Sequence, residues 1–283
     1  AKVYNSENEF FLIGEALDKV HILSSQDGIT WALEATDLDM NIDIMSGYAP
    51  QGENLKDSIY LLGINQNALY VYNSNENSFD KLADIEGSKA VEILGEYKNE
   101  LLILAEKDGN AVVLSYHGGV ITEKTSYLPA SFPVNGGFSP VLVKYDESTT
   151  LNVESMFIVG GGSVHATDNG WYWSNVVKSP ESNFFTNVTR SSAVYYIKYM
   201  YAFGGITESG SPKFMPLQVS TDNGFTWSAG VSYQKLPSTF TPQYGISAVV
   251  KDKNIYIFGG FDENGSYTPE FYKGRIRKVD FKQ

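Results

Sequence analysis

Three short segments of this 283-residue chain nearly repeat one another, and each of them ends in tryptophan. Each segment places a glycine three residues before the tryptophan and an acid or amide side chain just before that glycine. The segments read SSQDGITW at 24–31, ATDNGWYW at 166–173 and STDNGFTW at 220–227. We call them the tryptophan turns. Their recurrence indicates that the chain is assembled from similar structural units.

The units themselves are marked by short apolar segments that each end at a small residue. These small residues lie roughly 50 residues apart, the spacing typical of four-stranded units. Val, Ile, Phe and Tyr dominate the segments, and no helical period is sustained. The sequence therefore predicts an all-β protein, a six-bladed β-propeller of four-stranded antiparallel blades, with five or seven blades as alternatives. The marking residues are Gly14, Gly63, Ala105, Gly160, Gly204 and Gly259.

We expect a single propeller domain over residues 1–283, with blades at 1–37, 38–86, 87–131, 132–181, 182–238 and 239–283. Residues 2–4 precede the first apolar strand, and we expect them to complete the last blade and close the ring. In the fifth unit the strands are predicted at 191–197, 199–204, 214–220 and 226–231. In the sixth unit they are predicted at 245–250, 254–259 and 271–281.

The tryptophan turns have a structural interpretation. A carboxylate can accept hydrogen bonds from the amides of its own turn, glycine can adopt positive φ, and tryptophan can bury its ring between blades. We therefore predict structural roles, not catalytic ones, for nine residues: Asp27, Gly28, Trp31, Asp168, Gly170, Trp173, Asp222, Gly224 and Trp227.

The turns resemble the Asp-box of sialidase-like propellers, with a full match at 220–227. The Phe-Gly-Gly sequences within Tyr201–Gly205 and Tyr256–Gly260 resemble the kelch repeat, in which paired glycines are a packing device. A chain that mixes both repeats and ends in GRIRKV at 274–279 resembles the C-terminal propeller domains of exported Bacteroidetes proteins of unknown function. The resemblance implies export and an upstream domain. It implies no activity.

Composition excludes several partners. The formal charge is −12 and only three arginines occur, so a nucleic-acid partner is not expected. The chain has no cysteine, hence no disulfide or thiolate metal site, and no apolar run long enough for a transmembrane segment. It begins at Ala1 without a leader, so we expect a trimmed product, and we expect it to be monomeric. The resemblance implies that it is located in the periplasm or at the cell surface.

Two enzyme classes suggested by the resemblance lack their residues. Sialidases clamp a carboxylate with three arginines from separate blades, whereas Arg275 and Arg277 are neighbours on one predicted strand and Arg190 is the only other. Galactose oxidase chemistry needs a cysteine, which is absent. The alternation of Leu38, Met40 and Ile42 favours a strand over a calcium loop, so we expect no metal and no cofactor.

A third enzyme class stays open as the alternative. Some kelch propellers are sugar mutarotases or epimerases, which need only an acid–base pair in a polar funnel. Arg190, Glu208, Asp262 and Tyr244 are the candidates for such a site, although solvated loop residues have the same pattern.

Loops rich in aromatic residues favour a non-catalytic binding domain with a glycan or protein partner; they lie at 127–133, 184–185 and 240–244. These loops lead into innermost strands, and exposed rings beside polar residues suit sugar stacking or peptide recognition. We expect the ligand face to lie opposite the tryptophan turns. Its predicted contacts are Phe185, Arg190, Phe240, Tyr244, His165, Asp262 and Glu208.

Overall fold

The computed structural model describes residues 2–5, 9–16, 19–38, 44–48, 59–63, 65–73, 76, 78–124, 128–129, 132, 139–144, 154–160, 163–176, 188–207, 217–228, 236, 240 and 243–275. Within those ranges every helix or strand assigned is a β-strand, and all strand pairs are antiparallel. The prediction of an all-β chain is confirmed.

The first half of the described chain forms three four-stranded sheets, each a simple meander in which neighbours in sequence pair in space. The first sheet contains β1 (Lys2–Asn5), β2 (Phe10–Ala16), β3 (Lys19–Ser25) and β4 (Ala32–Leu38). The second contains β5 (Ile44–Tyr48), β6 (Ile59–Gly63), β7 (Ala68–Asn73) and β8 (Ser78–Asp84). The third contains β9 (Lys89–Tyr97), β10 (Glu100–Lys107), β11 (Asn110–His117) and β12 (Val120–Glu123).

The second half follows the same plan with shorter outer strands. The fourth sheet contains β13 (Ser139–Lys144), β14 (Glu154–Gly160), β15 (Ser163–Thr167) and β16 (Ser174–Asn175). The fifth contains β18 (Ser192–Tyr196), β19 (Tyr199–Phe203) and β21 (Leu217–Ser220), beside a ribbon of β17 (Val188–Thr189) and β20 (Ile206–Thr207). The sixth contains β22 (Ser247–Lys251), β23 (Asn254–Phe258) and β24 (Phe271–Gly274).

Strand β10 shows why the sequence of a central strand is almost continuously apolar. Leu101 and Ile103 pack into a cluster shared with the second sheet, whereas Leu102 and Leu104 pack into a cluster shared with the fourth. Successive side chains of a strand point to opposite faces. Both faces of this sheet are therefore buried against neighbouring sheets.

The sheets close into a ring. The first strand of each sheet is its innermost: β22 lies between β1 and β18, β13 lies between β18 and β9, and β9 lies beside β5. A buried hydrophobic cluster fills each boundary between consecutive sheets, and a further cluster joins the sixth sheet to the first. The core is thus a series of layers between sheets.

Serine hydroxyls connect the innermost strands of neighbouring sheets near the ends where these strands begin. Strands β13, β18 and β22 each start with serine, and each hydroxyl bonds to the backbone of the next innermost strand or the residue before it. We call these contacts the serine bridges. Ser139 Oγ donates to Ser191 O (3.2 Å), Ser192 Oγ accepts from Ala248 N (2.9 Å), and Ser247 Oγ accepts from Val3 N (3.0 Å) and donates to Val3 O (3.1 Å).

The expected mode of ring closure was wrong. Residues 2–4 do not add a strand to the sixth sheet; they pair with β2, with Val3 opposite Leu12. The first sheet thereby gains its own innermost strand, and Val3 is buried against Val249 of the sixth sheet. Closure therefore rests on side-chain packing, on the serine bridge of Ser247 and on a hydrogen bond from Asn5 to the sixth sheet.

Candidate functional site

Two sets of loops lie at opposite ends of the sheets. In an antiparallel meander, connections alternate between the ends, so the loops entering innermost strands share an end with those between second and third strands. We call that end the mouth face. The tryptophan turns follow third strands and lie at the other end, where Lys98 Nζ, from the β9–β10 turn, donates to Asp168 O at 2.7 Å. The expected separation of the two faces follows from this topology.

Four side chains form a continuous row on the mouth face of the fifth and sixth sheets. The Arg190 guanidinium lies 5.6 Å from the Tyr244 ring centre, and the Tyr244 ring stacks on Phe261 at 5.5 Å. Phe261 meets Tyr267 edge to face at 6.3 Å. Phe261 is 39% and Tyr267 61% exposed. We call these four residues the aromatic row.

Backbone hydrogen bonds hold the aromatic row in place. Tyr244 and Phe261 exchange two bonds, at 3.1 and 2.9 Å, and Gly245 N donates to Arg190 O at 2.8 Å. Arg190 has φ of +57°, a backbone conformation that costs free energy in a non-glycine residue. The loops therefore present the rings as an ordered surface.

Buried polar contacts support the row from beneath. Gln243 is almost fully buried. Its side-chain Nε2 donates to Glu270 Oε2 at 2.8 Å, and its backbone carbonyl oxygen accepts from Gly205 N at 3.0 Å. The Tyr272 hydroxyl donates to the same Glu270 oxygen at 2.6 Å. This network joins the fifth and sixth sheets at their mouth-face ends.

Asp262 lies in the loop that carries the row, but its carboxylate stabilises that loop. Oδ1 accepts bonds from the amides of Asn264 and Ser266, both at 2.8 Å. An oxygen bonded to two amides of its own loop is a turn-forming group. The geometry therefore gives Asp262 a positioning role.

Two predicted ligand contacts are buried, and the expectation of exposure was wrong for both. Phe240 packs between the fifth and sixth sheets, with its ring 5.0 Å from that of Tyr272. His165 lies within β15, not in a loop, with its ring 4.9 Å from Phe132. Burial lowers the pKa of His165 to about 4, because the charged form is poorly solvated there.

The other predicted contacts divide into two groups. Arg190, Tyr244 and Asp262 come together on the mouth face, while Phe185 and Glu208 lie outside the described residues. The sequence prediction missed Phe261 and Tyr267. The sequence feature that could have identified them is the glycine pair at 259–260, which follows the second strand of the sixth sheet. The loop that follows this pair begins at the mouth face.

The tryptophan turn at 220–227 has the predicted geometry. Asp222 Oδ1 accepts from the Ser220 hydroxyl and the Thr226 amide, and Oδ2 accepts from the Thr226 hydroxyl at 2.6 Å. Gly224, at φ +87°, donates its amide to Ser220 Oγ at 2.7 Å. Partial burial favours protonation, but the bonds from Thr226 and Ser220 outweigh it and hold the pKa of Asp222 below its usual value.

The turn at 24–31 is one residue shorter between its serine and its glycine. Asp27 Oδ1 accepts from the amides of Ile29 and Thr30 at 2.7 and 2.8 Å, and Gly28 N donates to Ser25 Oγ at 2.8 Å. The predicted role of Asp27 is therefore present despite the shift of one position.

In the turn at 166–173 the predicted residue was wrong. The side-chain oxygen of Asn169, not that of Asp168, accepts hydrogen bonds from the amides of Trp171 and Tyr172, both at 2.8 Å. Thr167 Oγ1 accepts one from Gly170 N. This turn has the short spacing of the first one, so the acceptor is the residue directly before the glycine. The Asp168 side chain is left exposed at the rim of the turn.

The tryptophans pack between sheets as predicted. Trp173 is fully buried between the third and fourth sheets, and Trp227 is buried between the fourth and fifth. Trp31 is partly buried and meets Phe258 of the sixth sheet edge to face at 5.8 Å. Each turn thus fixes one boundary of the ring.

The described residues contain no group of three or more His, Asp or Glu side chains placed to hold a metal ion. Among the same residues, no helix has the length and apolar character needed to cross a membrane.

A ring of antiparallel meanders packed face to face defines a β-propeller. Residues 54–283 match the DUF6242 beta propeller domain, and the chain belongs to that family. No curated protein matches the chain. Among 311 solved chains with a similar fold is one titled "Structure of YjhT", with a TM-score of 0.69 over 98% of this chain and 95% of that chain. At 12% identity, that likeness shows the fold alone.

Proposed function

We propose that this chain is a non-catalytic, six-bladed binding domain whose mouth face recognises a glycan or a protein. The observation that carries the proposal is the aromatic row, since ordered and exposed rings beside an arginine are a typical recognition surface. Each of the six sheets would be one blade, with boundaries close to those predicted from the sequence.

The resemblances to kelch and Asp-box propellers are part of this proposal. The bonds made by Asp222 and the buried Trp227 support an Asp-box turn, and the glycine pairs at 204–205 and 259–260 support a kelch-like packing device. Export to the periplasm or cell surface stays a prediction from the sequence resemblance.

A glycan array and a protein array, each probed with the intact chain, test the proposal. The double variant Phe261→Ala, Tyr267→Ala should lose most of the signal, because each stacked ring contributes about 0.5–1.5 kcal/mol beyond its burial. Val120→Ala is the matched control, because Val120 is also exposed but lies on the outer strand of another sheet. Undiminished binding by the double variant would show that the mouth face is not the binding site.

The alternative function is a sugar mutarotase or epimerase. It is favoured by one observation, the strained backbone of Arg190 beside Tyr244, because strain of this kind concentrates at functional sites. Anomer-exchange NMR with sialic acid and common hexoses tests it. Exchange that is accelerated by the chain and abolished by Arg190→Ala or Glu208→Gln would replace the binding proposal with the enzymatic one.

A further inference from the structure

A second concave site lies at the end of the ring opposite the mouth face. It opens between the fourth and fifth sheets, beside two tryptophan turns, and its volume is about 310 Å³. Phe157, Val176 and Phe225 belong to the hydrophobic cluster of this boundary and form its apolar floor. Its rim includes Asp168, Tyr172 and Asn223. We call it the turn pocket.

Tyr172 departs from the pattern of the other tryptophan turns. The same position is Thr30 in the first turn and Thr226 in the third. In the third turn the Thr226 hydroxyl donates to Asp222. The second turn makes its amide bonds through Asn169 instead, and the Tyr172 side chain is 51% exposed. A large ring thus stands at the pocket rim where the turn itself requires only a small residue.

We propose that the turn pocket binds one uncharged pyranose ring of a glycan. Its volume is at the small end of the range for ligand sites, about 300–1,000 Å³, which suits one ring better than a peptide. Tyr172 would stack on the apolar face of the sugar. The Asp168 carboxylate and the Asn223 amide would bond its hydroxyl groups.

The charges of the pocket restrict the class of sugar. None of the described residues that line it is lysine or arginine, and Asp168 is at its rim. The neighbouring Lys98 ammonium donates to the Asp168 backbone oxygen. A carboxylate repels phosphate and the carboxylate of sialic acid, and the overall charge of −12 adds to that repulsion. Neutral hexopyranosides are therefore the expected ligands. The site is independent of the mouth face, because it lies at the other end of the sheets.

Saturation-transfer NMR with the intact chain tests the proposal, with the methyl glycosides of glucose, galactose, mannose and N-acetylglucosamine as probes. At least one glycoside should bind, and Tyr172→Thr should weaken its binding about threefold to tenfold. This variant places in the turn the residue that the other two turns carry, so the fold should be retained, which an unchanged Tm would verify.

Two controls separate the turn pocket from the rest of the surface. Ile29→Ala alters an exposed side chain of the equivalent turn in the first sheet, and Val120→Ala alters one on the outer strand of the third sheet; both should bind the glycoside as the parent chain does. The proposal is overturned if no glycoside binds, if Tyr172→Thr binds equally well, or if tetramethylammonium binds the pocket in preference to every sugar. Loss in Tyr267→Ala alone would assign the sugar to the mouth face instead.

Discussion

At the scale of single residues, three different sequences produce the same turn. What they share is an oxygen acceptor that reaches the amides following glycine, supplied by Asp222, Asp27 or Asn169. The spacing between the glycine and the hydroxyl that accepts its amide decides which residue this is, and the presence of an aspartate in the segment does not. Asp168 has the same position relative to its glycine as Asp222, but the Thr167 hydroxyl is one residue closer to the glycine than the Ser220 hydroxyl is, so Asn169 becomes the acceptor.

The adjacent pair Asp168 and Asn169 allows a matched test. Asn169→Ala should lower the free energy of unfolding by about 1–2 kcal/mol, because two turn amides lose their acceptor. Asp168→Ala should change it by less than about 0.5 kcal/mol, as for an ordinary surface substitution. Urea unfolding of both variants measures the difference. Equal effects of the two substitutions would contradict the assignment of the acceptor.

His165 should make stability depend on pH. The unfolded chain protonates this histidine below about pH 6.5, and the folded chain does so only below about pH 4. Between those values the unfolded state holds more protons, so stability falls as the pH falls, by about 3 kcal/mol in total. Urea unfolding from about pH 7 to about pH 4.5 should record this decline.

His165→Phe is the control for the pH dependence, because a phenylalanine can pack against Phe132 and does not titrate. The variant should lose most of the decline in that window. Carboxylates with a lowered pKa, such as Asp222, lose their contribution only at lower pH. An unchanged slope in the variant would show that another group is responsible.

At the scale of elements, the glycine pairs let the fifth and sixth sheets converge on Gln243. A β-carbon at Gly204 would lie 2.5 Å from the Gln243 carbonyl oxygen, and one at Gly260 would lie 2.7 Å from its side-chain oxygen. Both distances are shorter than van der Waals contact. The aromatic row is therefore supported by loops that only glycine permits.

Gly204→Ala and Gly109→Ala separate steric crowding from backbone strain. Both positions have positive φ, +64° and +76°, but nothing lies within 4 Å of a β-carbon at Gly109. Gly109→Ala should cost about 1–2 kcal/mol from the backbone alone. Gly204→Ala should cost a further 1–3 kcal/mol, roughly the penalty of overpacking. Urea midpoints that coincide for the two variants would refute the close approach.

Much of the strand order was predictable, because apolar runs bounded by turn residues are a local signal. In the fifth and sixth units, β18, β19, β22 and β23 lie within or next to their predicted ranges. The site was less predictable, because a sequence does not show which face of a strand or loop is covered. Phe240 and His165 are buried for that reason, whereas Phe261 is exposed.

At the scale of the whole molecule, the boundary between the sixth and first sheets differs from the others. Counted over the residues that the structure describes, its cluster has five buried side chains, whereas the other clusters have between eight and eleven. The two sheets are not consecutive in the chain, and among the described residues no strand of one pairs with a strand of the other. Besides the serine bridge of Ser247, a hydrogen bond from Asn5 Nδ2 to Val250 O, at 3.0 Å, connects the two sheets.

We expect the native ring to open locally at this boundary. Amide hydrogens of β1 and β22 should exchange with deuterium through a local opening, at a lower free energy than those of β10, whose exchange should require global unfolding. Ser247→Ala should lower the opening free energy by about 1 kcal/mol. Ser139→Ala, at a boundary that the chain itself crosses, should leave the exchange of β1 unchanged. Protection of β1 equal to that of β10 would mean that the ring opens only when the whole molecule unfolds.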